Sequence, residues 1–415
     1  MTAIEANLSH KRVVLGLCGG IAAYKVCEIA STLAKAGIQV DPVLTEQAQQ
    51  FITPLTLATL CRQAAYTDQD FWSPTQARPL HIELGERADL IILAPLTANT
   101  LAKLAHGLAD NLLTNIVLAS NCPVLLVPAM NTDMWLQGSV QRNWQMLLAD
   151  SRYHALEPGT GRLACDRVGQ GRMAEPTNVL AITDSLLLTG GQRDLTGQHL
   201  LISAGSTREY IDAVRFIGNP SSGKMGVALA QAAQHRGATV TLVHGPMVTE
   251  HLAGTTGIEC IPITRASEMQ AAMMAQLPKS DWILMAAAVA DVKPRDRAVS
   301  KLPKSALPEA LPLASVPDIL THLGKIKLPH QVMIGFAAQT GEVIPPAVEK
   351  LRSKGLDVIV ANPIDQAESG FGSEFNQAIL IDKSERQVKV PHCPKRHLAH
   401  QIYDFILSRR PLEED

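Results

Sequence analysis

Twice in this chain an apolar strand runs into a turn, a helix, a stop glycine and a second strand. That order constrains the fold more than any other feature. Residues 12–17 (RVVLGL) lead into Cys18-Gly19-Gly20, a helically spaced stretch to Ala36, Gly37, and then IQVDPVL. Residues 200–203 (LLIS) lead through a polar segment to VALAQAAQHR, Gly237 and ATVTLVHG. Strands joined through a helix pair in parallel, with a right-handed crossover. Further apolar strands are expected at 90–94, 124–127, 282–291, 332–340 and 356–362. The fold class is therefore α/β, with two Rossmann-like parallel-sheet domains. Between the two starts lies LLLTGGQRDLTGQ (186–198), polar and carrying a Gly-Gly pair. The boundary is placed there, giving domains of residues 1–190 and 191–415.

Composition narrows the function classes. Lysine plus arginine number 37 against 39 aspartates and glutamates, a net charge of −2. Such a chain offers no general field to nucleic acid or an anionic membrane. No apolar run reaches the roughly 18 residues of a membrane helix. The first residues, MTAIEANLSHKR, lack an apolar signal core, so a cytoplasmic location is expected. Seven scattered cysteines without a CxxC pair read as free thiols in a reducing compartment. In open parallel sheets ligands bind beyond the carboxyl ends of the strands. The candidate segments are therefore CGG (18–20), PLTANT (95–100), PAMN (128–131), AGSTRE (204–209), AAAVAD (286–291) and GFAAQT (335–340).

In the first half, Gly19-Gly20 opens a helix whose N–H groups can hold a phosphate. The spacing is not the GxGxxG of a dinucleotide site. Cys165 sits in GTGRLACDRVGQGRM, where Arg162, Arg167 and Arg172 would favour a thiolate. Read alone, Cys165 is a surface thiol, Asn131 a helix cap and His81 an exposed or core histidine. In series, GGIAAYK, HIELGERADLIILAPLTANT, PAMNTDMW and GRLACDRVGQGRM resemble the flavin-dependent cysteine decarboxylases. More narrowly, they resemble the phosphopantothenoylcysteine decarboxylases, over residues 11–180.

The resemblance implies FMN, contacted by Gly20, Thr45, Thr97 and Asn99. It implies His81 as the base of an oxidative step, Asn131 as a binder of the substrate carboxylate or amide, and Cys165 as the late proton donor. The chemistry is coherent. An unactivated cysteine amide has no electron sink for decarboxylation, and oxidation of its thiol to a thioaldehyde creates one. Asp166 stands where the family usually has glycine, and its carboxylate beside Cys165 favours the protonated thiol.

In the second half, Gly218 to Lys224 fits GxxxxGK, but Met225 follows where a P-loop needs Ser or Thr. A turn and helix start capped by Ser221 or Ser222 is the better reading. The stretch SAGSTREYIDAVRFIGNPSSGKMG, with AAAVADVKPRD, VPDIL, GFAAQT and KLRSKGLDVIVAN, resembles the phosphopantothenate–cysteine ligases over residues 198–385. The resemblance implies CTP as co-substrate, with Mg2+ held mainly by its phosphates. It implies that Asp291 and Phe336 meet the nucleoside and that Lys301 steadies the α-phosphate. It further implies that Pro317, Asp318, Ile319 and Leu320 lie near the nucleotide, that Lys350 and Lys354 face its phosphate tail, and that Asn219 orients the acyl-cytidylate. Gln339 replaces a frequent glutamate.

Relatives pair flavin and histidine across a trimer, and the ligase half dimerises. A homo-oligomer, up to a dodecamer, is thus implied, with small-molecule substrates as the only other partners. Two alternatives compete: a peptide-cysteine or prenylating flavoprotein fused to a reductase, and a non-catalytic flavin-binding regulator.

Overall fold

The computed structural model describes residues 8–74, 78–252, 254–307, 309–365 and 372–408. The chain forms two compact units, Met1–Gln192 and Arg193–Asp415.

The first unit is built on five parallel strands: β1 (Arg12–Leu17), β2 (Gln39–Leu44), β3 (Leu90–Leu96), β4 (Val124–Pro128) and β5 (Tyr153–Ala155). Their order in the sheet is β2-β1-β3-β4-β5. Side chains alternate across a strand, and β1 shows the consequence. Val13, Leu15 and Leu17 enter one core with Val26, Ile29 and Leu33 of helix α1 (Ala23–Lys35). Val14 enters another with Leu80 and Leu84 of α2 (Leu80–Arg87) and Ile116 of α3 (Leu112–Ala119). Helices on both faces explain why these strands read as unbroken apolar runs. The order reverses between β1 and β3, the switch point where this topology binds ligands. A two-stranded hairpin, β6 (Gly159–Arg162) and β7 (Val168–Arg172), follows the sheet.

The second unit has an eight-stranded sheet. Its parallel part comprises β8 (His199–Ala204), β11 (Thr239–His244), β12 (Glu259–Pro262), β13 (Trp282–Met285), β16 (Val332–Gln339) and β17 (Val358–Pro363). Two short ribbons fill the intervening numbers: β9 (Glu209–Tyr210) with β10 (Phe216–Ile217), and β14 (Val292–Pro294) with β15 (Leu313–Ser315). Two further strands, β18 (Phe375–Asp382) and β19 (Gln387–Pro394), run antiparallel to their neighbours. The sheet order is β12-β11-β8-β13-β16-β17-β18-β19. The first six strands follow the doubly wound dinucleotide-fold order, switching beside β8. With its antiparallel edge the sheet is mixed, where the sequence suggested parallel pairing alone.

The expected strand over 282–291 ends at Met285. Residues 286–291 form a loop, tied to the end of β8 by Ala287 N–H to Ser203 Oγ (3.1 Å) and to the turn after it by Ala290 N–H to Thr207 Oγ1 (2.9 Å). The stretch from residue 390 (VPHCPKRHLAHQIYDFILSRRPLEED), whose sequence reads as one closing helix with a charged end, instead completes β19 and then forms α4 (Lys395–Leu407); residues 409–415 lie outside the described residues.

Candidate active sites

In the first unit a cavity of about 780 Å³ opens at the β1/β3 switch point. Gly20, Thr45, Thr97, Asn99, Asn131 and Cys165 all line it. Thr45 follows β2 and is buried, with its hydroxyl accepting from Ala48 N–H (3.3 Å). Thr97 caps the helix that begins at Ala98. A Cβ on Gly20 would make only ordinary contacts, whereas one on Gly19 would lie 2.4 Å from Gln47 Cβ. The close approach of backbones at this turn therefore belongs to Gly19.

Asn131 caps the helical turn Thr132–Trp135 through its Oδ1, which accepts from Asp133 N–H at 2.8 Å. That leaves its Nδ2 to donate to Cys165 Sγ at 3.2 Å. Cys165 lies at the tip of the β6–β7 hairpin, where Asp166 adopts φ +64°. Glycine takes that conformation without cost, and Asp tolerates it better than most residues. The Asp166 carboxylate accepts from Arg162 (2.8 Å), and Arg167 reaches Asp133 (2.6 Å). The second of these pairs seats the hairpin on the Asn131 turn, and the first closes the hairpin on itself.

His81 does not line this cavity. It sits in the first turn of α2, its ring edge-on to Phe71 at 5.3 Å, with a buried Nδ1 that has no hydrogen-bond partner among the described residues. Phe71 touches Trp72, which is 79% exposed.

In the second unit a cavity of about 550 Å³ lies past the ends of β13, β16 and β17. Asn219, Asp291, Pro317, Asp318, Ile319, Leu320, Phe336, Lys350 and Lys354 all line it. Asn219 is held from both sides, its N–H on Ser206 Oγ (3.2 Å) and its Nδ2 on the Val289 carbonyl (3.2 Å). Asp318 caps the helix Ile319–Ile326 by accepting from Thr321 N–H (2.9 Å), and it pairs with Lys354. Lys350 is not on a solvated helix face; its Nζ donates to the Phe336 carbonyl at 2.8 Å. Burial draws this ammonium below the ordinary lysine range, against the pull of Asp291.

Lys301 does not line the cavity. It is exposed, on a loop whose next residue, Leu302, is tied to the buried Asp212 carboxylate (3.3 Å). Gln339 lies outside the cavity as well. The expected serine cap is replaced by Gly223 at φ +79°, a left-handed turn that glycine enters freely, and the helix behind it runs Lys224–His235.

Sequence reasoning passes over four lining residues: Lys224, Asn362, Asn376 and Lys395. The P-loop comparison hides Lys224, and the apparent tail hides Lys395. Asn362 follows β17's apolar run, the same strand-end signal that marks the other segments. Its buried Oδ1 has no partner among the described residues. Nor does any group of three or more His, Cys, Asp or Glu among them stand ready to hold a metal.

Comparisons with known proteins fit this division. The family model described as "Flavoprotein" matches residues 1–188, and "DNA/pantothenate metabolism flavoprotein C-terminal domain" matches 195–409. The coenzyme A biosynthesis bifunctional protein CoaBC of Bacillus subtilis (strain 168) is 40% identical over 401 residues, covering 97% of this chain and 98% of that protein. The chain belongs to this family. CoaBC of Vibrio cholerae is 39% identical, covering 96% of this chain and 98% of its own. A cysteine/cysteine sulfinic acid decarboxylase from an unknown prokaryotic organism is 40% identical over 86% of this chain and 99% of its own. Among solved structures, the C-terminal domain of a CoaBC covers 52% of this chain and 96% of its own (34% identity, TM-score 0.44). The FMN-dependent cysteine decarboxylase SpaF covers 44% and 98% (31% identity, TM-score 0.39). Among the described residues no helix is long and apolar enough to cross a membrane.

Proposed function

We propose that the chain condenses 4′-phosphopantothenate with cysteine, using CTP in its second unit, and decarboxylates the product to 4′-phosphopantetheine in its first. The observation that carries this reading is the pairing, in one chain, of two cavities of different chemistry. One is lipped by Asn131 hydrogen-bonded to Cys165; the other is lined by lysines around a held asparagine.

The first cavity fits FMN: it stands at the switch point, beside a helix start and the hydroxyls of Thr45 and Thr97. Bound there, FMN would supply a two-electron acceptor for the substrate thiol, whose oxidation creates the sink for the electrons left behind by CO₂, and a hydride donor for the later reduction. Asn131 holds the substrate carboxylate or amide while its Oδ1 stays fixed by the backbone. Cys165, exposed at the hairpin tip, delivers the late proton to carbon. In the second unit Asn219, fixed at both ends, orients the activated acyl group. Lys350 and Lys354 meet the nucleotide, whose phosphates carry Mg2+.

His81 and Lys301 miss the cavities of their own chain, and we assign each to a neighbour's. His81 acts in a trimer, beside the exposed Trp72 surface, and Lys301 in a ligase dimer; both contacts together make a dodecamer. The decarboxylase relative favours a second reading, direct decarboxylation of free cysteine. A pyrophosphate-release assay with each nucleotide separates the two. Release that needs CTP, cysteine and phosphopantothenate together supports the bifunctional reading; activity indifferent to CTP rejects it.

A further inference from the structure

Two pairs of lysines, held on different partners, line the ligase cavity, and the roles assigned to Lys350 and Lys354 use only one pair. Four lysines line it (Lys224, Lys350, Lys354 and Lys395) against two aspartates, Asp291 and Asp318. Lys350 and Lys354 are held on Phe336 and Asp318. Lys224 and Lys395 are held elsewhere, on residues 372–375. Lys224 Nζ donates to the Gly372 carbonyl (3.0 Å) and pairs with Glu374. Lys395 Nζ donates to the carbonyls of Ser373 and Phe375 (3.0 Å to the latter). Lys395 is only 7% exposed, and its neighbour in the cavity wall, Asn376, 3%.

Two features distinguish this pair from ordinary structural pinning. The Glu374 side chain is 72% exposed, so solvent screens its pull on both lysines. A buried cation keeps much of its desolvation cost. Here burial, with the like charge of Lys224 adding to it, pushes Lys395 down to about 8 despite Glu374. A ligand bringing negative charge would relieve that cost. Lysine is a compact three-donor cation suited to phosphate oxygens.

We propose that Lys224 and Lys395 form a second phosphate-binding pole of the ligase cavity, lined also by Asn376. The inference rests on the ligase reading, which requires one cavity to serve two phosphate-bearing substrates. The group bound is either the terminal phosphates of the nucleotide or the phosphomonoester of the acyl substrate. The chemistry is the same, and the ligands tested separate the two sources.

The test is calorimetric binding to the full chain of inorganic pyrophosphate, CTP, CMP, phosphopantothenate and pantothenate. Lys224→Gln, Lys395→Met and Lys395→Arg are compared with the parent. Pyrophosphate affinity should fall at least about tenfold in Lys224→Gln and Lys395→Met, the loss of one charge-assisted hydrogen bond, and recover in Lys395→Arg. A loss for CTP but not CMP assigns the pole to the nucleotide. A loss for phosphopantothenate but not pantothenate assigns it to the acyl substrate. Lys224 keeps partial exposure, so Lys224→Gln decides the matter if Lys395→Met fails to fold. Variants that bind pyrophosphate, CTP and phosphopantothenate within about twofold of the parent overturn the proposal and leave the ligase reading standing. A parent that binds pyrophosphate through these lysines, but neither CTP nor phosphopantothenate, overturns the ligase reading and leaves the pole.

Discussion

Gly171→Ala should uncouple the two activities, and the geometry sets the size of the effect. Gly171 lies in β7 at φ +150°, and its carbonyl accepts from Met130 N–H at 3.0 Å. A Cβ there would stand 2.2 Å from the Met130 carbonyl oxygen. An ordinary carbon–oxygen contact needs about 3.3 Å. The obstructing atom is backbone, so no side-chain rotation relieves it, and the hairpin must part from the Asn131 turn by about 1 Å. That separation is enough to break the 3.2 Å contact of Asn131 Nδ2 with Cys165 Sγ. A displacement of about 1 Å between a reacting centre and its catalytic group can cost on the order of a hundredfold in rate. The expected result is decarboxylation slowed about a hundredfold, read as product formed in single turnover. CTP-dependent pyrophosphate release, carried by the other unit, should stay at the parent rate. Decarboxylation within about threefold of the parent would refute the claim that this contact positions the proton donor.

Other expectations rest on the same geometry. Cys165→Ser should leave the flavin reduced after one turnover, by absorbance, with ligation intact; a flavin that reoxidises with normal product contradicts the role of the thiol. His81→Asn should abolish decarboxylation alone. Mixed oligomers of His81→Asn and Cys165→Ser should regain activity, because a site shared between copies can draw an intact residue from each; no recovery removes the composite site. Lys301→Gln should stop pyrophosphate release with decarboxylation unchanged, and loss of both activities together would show that the sites are not independent. The ammonium of Lys395, at about 8 and facing Lys224 and Glu374, is lost as pH rises through that value. Pyrophosphate binding should then weaken by up to about tenfold per pH unit, and less so in Lys395→Arg, which stays charged.

Much of the layout was legible because parallel strands buried on both faces leave continuous apolar runs punctuated by glycine. The polar segments behind those runs marked part of both cavities, though AGSTRE (204–209) lines neither, and the Asp318 cap is visible as an aspartate three residues before Thr321. Where small residues continued a run, the signal failed. Nothing in WILMAAAVAD distinguishes Met285, the last strand residue, from the alanines that leave the sheet to bond with Ser203 and Thr207. The antiparallel pair β18–β19 lacks the intervening helix that announces a parallel strand. Reading that region as tail hid Lys395, whose importance arises from burial against residues twenty positions away. The separation of His81 from Cys165 belongs to tertiary placement, which local spacing does not encode.

The most direct test follows carbon and phosphorus together. Cysteine labelled at its carboxyl carbon is supplied to the purified chain with phosphopantothenate, Mg2+ and CTP, and labelled CO₂ and pyrophosphate are counted. The account predicts one CO₂ for each pyrophosphate, and neither when CTP or phosphopantothenate is left out. Labelled CO₂ released from cysteine without CTP would contradict it.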